Sequence, residues 1–167
     1  MLMGNGWGVT PFKKLLKGIN MLELRSEIEI NAPLTKVWDI LMDFDHWKDW
    51  NPIVNQARGM AAIGSKLSMT MRGKEGEDAN QYMPIITQFV PPKFFRWRAN
   101  MMAGFLFTND KIFKLEERGA GTRLIHIEAF SGMLVPLFWS KLNKGVLPML
   151  NSMNEALKKN VEKRASA

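Results

Sequence analysis

His126 and Glu128 are the two residues of this sequence best suited to acid–base chemistry. They lie two positions apart in a predicted β-strand, so their side chains point to the same face. An imidazole and a carboxylate held together can take up and return a proton, as a cyclisation or a dehydration requires. The alternative is structural: the two side chains hydrogen-bond each other, or Arg96 or Arg98, and so satisfy a buried polar patch.

The direction in which this strand faces is left open by the sequence. Ile125 and Ile127 alternate with His126 and Glu128, so the opposite face of the strand is also apolar enough to be buried. The two residues are therefore candidates for catalysis and for ligand binding, with the facing of the strand to be determined.

Few other chemistries have the residues that they need. The chain has no cysteine, which excludes disulfides, thiolate metal ligands and a cysteine nucleophile. Two histidines are little material for a metal site, and we predict neither a metal nor a cofactor. His46 is expected to be a solvated or capping residue of a short surface helix. The sequence contains no GxGxxG motif, no P-loop and no serine–histidine–acid order.

Methionine and aromatic side chains are predicted to line a cavity for a small apolar or aromatic ligand. Methionine adapts to irregular space, and ligand pockets are mostly apolar with a few placed polar groups. Each of these residues alone is better explained as ordinary core, and Trp50-Asn51-Pro52 as a packed turn in which Asn51 bonds the backbone; the set as a whole indicates a cavity. The predicted ligand-binding residues are Trp50, Met69, Met71, Phe95, Trp97, Phe113, His126, Glu128, Phe138, Leu142, Met149 and Met153.

The elements that must position these residues follow from the hydrophobic periods. Residues 22–30 alternate apolar with charged side chains, which is typical of an antiparallel strand with one wet face. Pro33 suits the first turn of a helix, and a second short helix is predicted over residues 45–50. The predicted strands cover residues 22–30, 67–72, 83–90, 95–101, 106–117 and 122–130, and residues 73–80 are expected to form a loop.

One long helix is predicted after the last strand. Apolar residues step by three or four from Leu134 to Val161 and form one stripe, which must be buried against the sheet. Gly145 and Pro148 lie within the stripe, so we expect a kink or a brief break there. Separate runs of strands and helices favour an α+β fold, here a curved antiparallel sheet of about six to seven strands around the helix.

The net charge of +7 is carried by the two ends of the chain. Residues 21–140 are neutral, whereas a nucleic-acid-binding protein carries its basic patch on the folded reading surface, so we expect no nucleic-acid partner. No apolar run reaches the ~20 residues of a membrane span, and no secretory leader is evident, so we expect a cytoplasmic protein. The oligomeric state is left open.

Residues 1–20 are predicted to be an extension of a single domain that spans residues 21–165. Thr10 and Pro11 could begin a short basic amphipathic helix, which would either dock onto the domain or lie on an anionic membrane; the alternative is a disordered segment. A helix this short is marginal alone in water, and its three lysines attract a membrane only weakly. The extension therefore does not favour a membrane partner.

Several motifs carry a family resemblance. They lie at residues 28–33, 37–38, 44–52, 95–97, 121–132 and 154–158, and the more specific ones are Trp50-Asn51-Pro52 and His126-x-Glu128-x-Phe130-x-Gly132. Over residues 21–164 the chain resembles the START and pollen-allergen-like (SRPBCC) superfamily, in its polyketide cyclase/dehydrase and lipid-transport branch.

This resemblance implies a helix-grip fold with a cavity between the sheet and the long helix. It does not fix a reaction, because the superfamily includes carriers, sensors and enzymes. From the apolar faces of the strands and the helix we predict that the cavity binds or transports a lipid-like or polyketide-like ligand; the alternative is a cyclase or dehydratase that uses His126 and Glu128. Members often carry a histidine two residues before the position of Phe113, where this chain has Lys111. Any chemistry that depends on that histidine is not expected here.

Overall fold

Two antiparallel sheets and one long helix make up the fold. The computed structural model describes residues 21–100 and 103–165, so the predictions for residues 1–20 lie outside the described residues. Its elements are β1 (Met21–Ile30), α1 (Leu34–Met42), a 3₁₀ turn (Phe44–His46), α2 (Trp47–Trp50), β2 (Val54–Arg58), β3 (Ser68–Arg72), β4 (Asp78–Tyr82), β5 (Ile85–Val90), β6 (Phe94–Asn100), β7 (Thr108–Arg118), β8 (Gly121–Ser131) and α3 (Val135–Ala165). The predicted α+β class and helix-grip fold are confirmed.

The larger sheet has the strand order β1-β8-β7-β6-β5, and the smaller has the order β2-β3-β4. Neighbouring strands are antiparallel throughout. The longest hairpin joins β7 to β8, and its turn contains Gly119 at φ +59°, a left-handed conformation that glycine adopts without steric cost. Pairing with β8 continues from Thr108 to Arg118, so the register of this hairpin is defined along its whole length.

The structure contains two strands that the sequence analysis did not predict. The expected loop over residues 73–80 includes the start of β4, whose residues are mostly exposed and polar. This edge strand is held by backbone pairing with β3 and therefore lacks an apolar period. In β2 a register shift between Val54 and Gln56 breaks the alternation on which the prediction depended.

The long helix is confirmed, and it continues through Gly145 and Pro148, so the predicted brief break is wrong, while a kink there stays a prediction. α3 is helical from Val135 to Ala165. Pro148 removes one hydrogen-bond donor, and the packing of the following turns against the sheet holds the helix together. The buried part of the stripe is its C-terminal half, with Leu150 and Leu157 almost fully enclosed. No helix within the described residues is long and apolar enough to cross a bilayer.

Two apolar clusters fill the space between the larger sheet and the helices. The large cluster includes Trp47 from α2, Phe95 from β6, and Leu157 from α3. The small cluster consists of Leu24, Phe107, Phe130, Val135 and Leu150. α3 lies mainly over β1 and contributes to both clusters, so the helix joins them across the face of the sheet.

Candidate functional site

The face of the larger sheet that packs against α3, here called the inner face, carries residues aligned in rows across four strands. This alignment follows from the pairing of β1 with β8, β8 with β7, and β7 with β6. The first row is Ser26, His126, Phe113 and Phe95; the second is Leu24, Glu128, Lys111 and Trp97; the third is Leu22, Phe130, Asn109 and Ala99. His126 and Glu128 therefore lie on the inner face, one row apart.

A band of buried polar residues crosses the inner face between the two apolar clusters. Along β8, Leu124 of the large cluster and Phe130 of the small cluster lie on either side of His126 and Glu128. Buried polar groups are normally hydrogen-bonded, so each member of this band needs a partner. The polar band, as it is called below, consists of Ser26, Asn109, Lys111, His126, Glu128 and Asn154, all of them buried.

A chain of hydrogen bonds runs from α3 through β1 to the imidazole of His126. The Ser26 hydroxyl donates to Asn151 Oδ1 at 2.5 Å, and Ser26 Oγ accepts a bond of 3.0 Å from Asn154 Nδ2. The amide oxygen of Asn154 then faces His126 Nδ1 at 2.9 Å. Because a carbonyl oxygen only accepts, the proton of the neutral imidazole is on Nδ1. Nε2 therefore carries a lone pair.

His126 is held as a neutral base inside the protein. Its side chain is fully buried, and burial, aided by the positive charge of Lys111, lowers its pKa well below the ordinary 6.5. The ring stacks on Phe113 with a centroid distance of 4.3 Å. His126 Nε2 is buried and has no hydrogen-bond partner among the described residues. The polar band thus contains a buried hydrogen-bond acceptor that the described residues leave unsatisfied.

The remaining charges of the polar band form one ion pair with hydrogen-bonded neighbours. Lys111 Nζ lies 2.6 Å from Glu128 Oε1, and Asn109 Nδ2 donates to Glu128 Oε2 at 3.0 Å. Asn109 Oδ1 in turn accepts a bond of 2.8 Å from the hydroxyl of Tyr82. Burial and the nearby Glu128 carboxylate raise the pKa of Tyr82, which keeps its hydroxyl protonated. Lys111 Nζ also lies 5.9 Å from the ring centre of Trp97.

The hydrogen bonds differ from the structural alternative that the sequence suggested. Among the described residues, His126 is bonded to Asn154, and Glu128 to Lys111 and Asn109, rather than to each other or to arginine. Arg96 and Arg98 instead bind Asp110 at 2.6–2.8 Å. Asp110 alternates with the inward-facing residues of β7, so this second cluster belongs to the opposite face.

Most of the other predicted ligand-binding residues belong to one of the two clusters or contact it. Five belong to the large cluster, two are packed at its edge, and the residues from the first half of α3 are only partly covered. The five are Met69, Phe95, Trp97, Phe113 and Met153; the two are Trp50 and Met71; those of α3 are Phe138, Leu142 and Met149. Leu142 packs against the small cluster, and Phe138 contacts Phe107 at a ring distance of 6.4 Å.

Two further candidate residues have structural partners. Asn51 accepts a hydrogen bond from the backbone N–H of Ile53 at 3.1 Å, as the packed-turn interpretation predicts. His46 is exposed and bonds Asp43 at 2.8 Å, and that bond raises the pKa of its imidazole. Neither residue is part of the polar band.

Sequence reasoning missed the polar residues that complete the band. Ser26 lies between Leu24 and Ile28 on the otherwise apolar face of β1, and Asn154 follows Met153 in the stripe of α3. A small polar residue within an apolar stripe is the one signal that could have identified them, because such a residue is buried only when a partner faces it.

Comparison with known proteins decides the family. The family described as polyketide cyclase / dehydrase and lipid transport matches residues 21–162. The chain belongs to this family. No curated protein matches the sequence.

Solved structures similar to this family member include a protein from Nitrosomonas europaea, at 15% identity and a TM-score of 0.71, which covers 87% of this chain and 97% of its own. The di-domain ARO/CYC StfQ of the steffimycin biosynthetic pathway gives 11% identity and a TM-score of 0.71, over 88% of this chain and 52% of its own. Norcoclaurine synthase from Thalictrum flavum, in complex with dopamine and hydroxybenzaldehyde, gives 14% identity and a TM-score of 0.66, over 87% of this chain and 88% of its own. At these identities the likeness establishes the shared fold.

Proposed function

We propose that this protein binds a small apolar or aromatic molecule between the inner face and α3, and that the molecule presents a hydrogen-bond donor to His126. The observation that carries the proposal is the buried lone pair of His126 Nε2, for which the described residues offer no donor. An unsatisfied buried polar group costs about 1–3 kcal/mol, and a ligand hydroxyl or amine would recover that free energy.

The surroundings of His126 support an aromatic or lipid-like ligand. The large cluster lies on one side of the polar band and the small cluster on the other, so a ligand at the band would meet apolar side chains at both ends. Ligand sites generally combine an apolar lining with a few fixed polar groups. The family likeness points in the same direction, since norcoclaurine synthase holds dopamine and hydroxybenzaldehyde, both of them small hydroxylated aromatics.

A matched pair of probes tests this proposal. Binding of 1-naphthol and of 1-methylnaphthalene would be measured by calorimetry and by native mass spectrometry. We expect 1-naphthol to bind more tightly by about tenfold, the worth of one hydrogen bond to a buried acceptor. His126→Leu should remove this preference, whereas His46→Gln, which changes an exposed histidine, should preserve it. Failure of the unaltered protein to bind either probe, or any fatty acid, would refute the proposal.

A second candidate function is a cyclase or dehydratase, favoured by the fixed tautomer of His126. With its proton on Nδ1, the imidazole offers Nε2 as a general base, and the ammonium of Lys111 in the adjacent row could stabilise the developing negative charge. Glu128 then holds Lys111 in position. In such a reaction Nε2 would take a proton from a carbon between two carbonyl groups, and the resulting carbanion would attack a further carbonyl carbon of the ligand. The π electrons of that carbonyl move to its oxygen, and the imidazolium then returns the proton to this alkoxide oxygen.

Deuterium exchange tests this chemistry without a known substrate. In heavy water, the protein should accelerate exchange at the central carbon of benzoylacetone beyond the rate in buffer. His126→Gln should abolish the acceleration, and Lys111→Met should reduce it. If the protein binds aromatic probes but leaves this exchange at the buffer rate, the binding function stands without the enzymatic one.

A further inference from the structure

A group of apolar side chains is exposed where the β6–β7 connection meets the start of α3. The side chains of Phe105, Met133 and Leu137 are 69%, 75% and 76% exposed, and that of Phe138 is 41% exposed. Soluble proteins commonly expose single apolar residues, but adjacent ones mark a surface for interaction. These four residues are called the apolar tip below.

Backbone hydrogen bonds join the two segments that carry the apolar tip. The N–H of Met133 donates to the carbonyl of Phe105 at 3.2 Å, and the N–H of Leu134 donates to the carbonyl of Leu106 at the same distance. Gly132, at φ +128°, allows the two segments to approach, since a Cβ atom there would lie 2.3 Å from the Leu106 carbonyl oxygen. The backbone that carries Phe105 is thus fixed beside the backbone that carries Met133, one helical turn before Leu137.

The surface that continues from the apolar tip along α3 is basic. Lys141 and Lys144 are exposed and follow Leu137 by four and seven residues, which places all three on one side of the helix. At 1.5 Å per residue they lie about 6 Å and about 10 Å from Leu137 along the axis. The sequence has no aspartate or glutamate from residue 129 to residue 154, so no carboxylate of this segment offsets the two lysines.

We propose that the apolar tip docks onto the surface of an anionic lipid membrane. Its side chains would enter the boundary between headgroups and acyl chains, which interfacial apolar residues reach to a depth of about 5–10 Å. Lys141 and Lys144 would then lie at the level of the headgroups, where each basic residue is attracted to anionic lipid. A protein partner would need its own carboxylates opposite the two lysines. An anionic membrane offers an apolar interior for the apolar tip and negative headgroups for the lysines, so we favour lipid. This inference does not depend on the proposed ligand.

Vesicle co-sedimentation of the full chain tests the docking. The vesicles would contain equal parts of phosphatidylserine and phosphatidylcholine, with pure phosphatidylcholine for comparison. We expect Phe105→Ser with Leu137→Ser to weaken partitioning by about tenfold or more, because two large apolar side chains no longer enter the membrane. Lys141→Gln with Lys144→Gln should weaken it by roughly thirtyfold on the anionic vesicles at low salt, and much less on the neutral ones.

A control substitution elsewhere on the surface makes the test specific. Met60→Ser with Ile63→Ser removes two side chains that are equally exposed but lie in the connection before β3, and it should leave partitioning unchanged. The lysine variant alters only exposed side chains and should fold normally. It therefore still tests the docking if the apolar variant fails to fold. Equal partitioning of all forms would overturn the proposal. The proposal would also be overturned if the protein bound neither kind of vesicle but self-associated, and the apolar variant abolished that self-association.

Discussion

The ammonium group of Lys111 lies 2.6 Å from the carboxylate of Glu128, on directly paired positions of β7 and β8, and each side chain is more than nine-tenths buried. When two opposite charges are buried together, both lose the free energy of hydration. Only their mutual attraction and neighbouring hydrogen bonds offset this loss. Asn109 supplies one of these bonds to Glu128. Each member of the pair is therefore stable in the interior only while the other is present.

Removing one charge of this pair should cost much more than removing both. We expect Glu128→Gln and Lys111→Met each to lower the free energy of unfolding by roughly 3–5 kcal/mol, and the double variant to lose less than either. Urea unfolding of the four proteins gives the coupling. The exposed pair of Lys114 and Glu116 on β7 is the control: Lys114→Met should change stability by about 0.5 kcal/mol or less. Additive losses at Lys111 and Glu128 would contradict the buried ion pair.

The two histidines should titrate in opposite directions from the ordinary pKa of 6.5. Burial lowers the pKa of His126, so its NMR signals should stay those of a neutral ring through mildly acidic pH. The bond to Asp43 raises the pKa of His46, which should titrate on the alkaline side of the ordinary value. A His126 signal that moves together with that of a free imidazole would contradict its burial.

The same shift makes stability fall as the pH falls below about 6.5, because there the unfolded chain protonates His126 and the folded chain does not. His46 contributes in the opposite sense, since its raised pKa favours the folded state at low pH. Urea midpoints at pH 7 and at about pH 5 should therefore decrease with acid, and His46→Asn should leave that decrease in place. A midpoint that rises with acid would contradict the assignment.

The hydrogen-bond chain to His126 should depend on its buried member more than on its exposed one. Asn154→Leu removes the acceptor for Nδ1 and the donor to Ser26, and should lower stability by about 1–3 kcal/mol. Nitrogen chemical shifts should then report loss of the single Nδ1–H tautomer. Asn151→Ala removes only an exposed acceptor that water can replace, so a small effect is expected. Equal losses of stability in the two variants would contradict this description of the hydrogen-bond chain.

The two halves of α3 should respond very differently to a charge. Leu150 is fully buried between the sheet and the helix, so Leu150→Asp should lower stability by at least about 4 kcal/mol or prevent folding. Leu137, on the same helix, faces solvent, and Leu137→Asp should change the melting temperature very little. Thermal unfolding of both variants provides the measurement. A stable Leu150→Asp protein would show that the C-terminal half does not grip the sheet.

Glycine substitutions should have opposite signs at two positions. At Gly145 a Cβ atom would meet nothing within 4 Å, so Gly145→Ala should stabilise α3 by about 0.5–1 kcal/mol. At Gly132 the left-handed backbone and the Leu106 carbonyl leave no room, so Gly132→Ala should destabilise the protein. Chemical unfolding distinguishes the two. Destabilisation by Gly145→Ala would mean that this position is not an exposed helical site.

The fold was predictable wherever an apolar period marked a buried face. β1 shows this best, because its inward residues alternate with charged ones from Leu22 to Ile30. The strands that escaped prediction, β2 and β4, have no such period: the first contains a register shift, and the second lies at the edge of the small sheet with mostly exposed residues. Backbone pairing holds them, and pairing leaves no compositional signal.

The candidate site was predictable only in part. The sequence placed His126 and Glu128 on one strand face but could not choose the face, because Ile125 on the other face is buried as well. Their partners are remote in the chain: Asn154 reaches His126 from α3, and Lys111 reaches Glu128 from β7. Spacing along one strand carries no information about such contacts. They depend on the register of β7 with β8 and on where α3 crosses the sheet.

The polar band has a consequence for how the chain finds its alignment. If β7 slid by two residues against β8, every side chain would keep its face, and the apolar pattern would not penalise the error. Lys111 would then lie opposite His126 or Phe130 instead of Glu128. Both charges would be buried apart, at a cost of several kcal/mol. The ion pair thus selects one register for the hairpin, on an apolar surface that by itself would tolerate several.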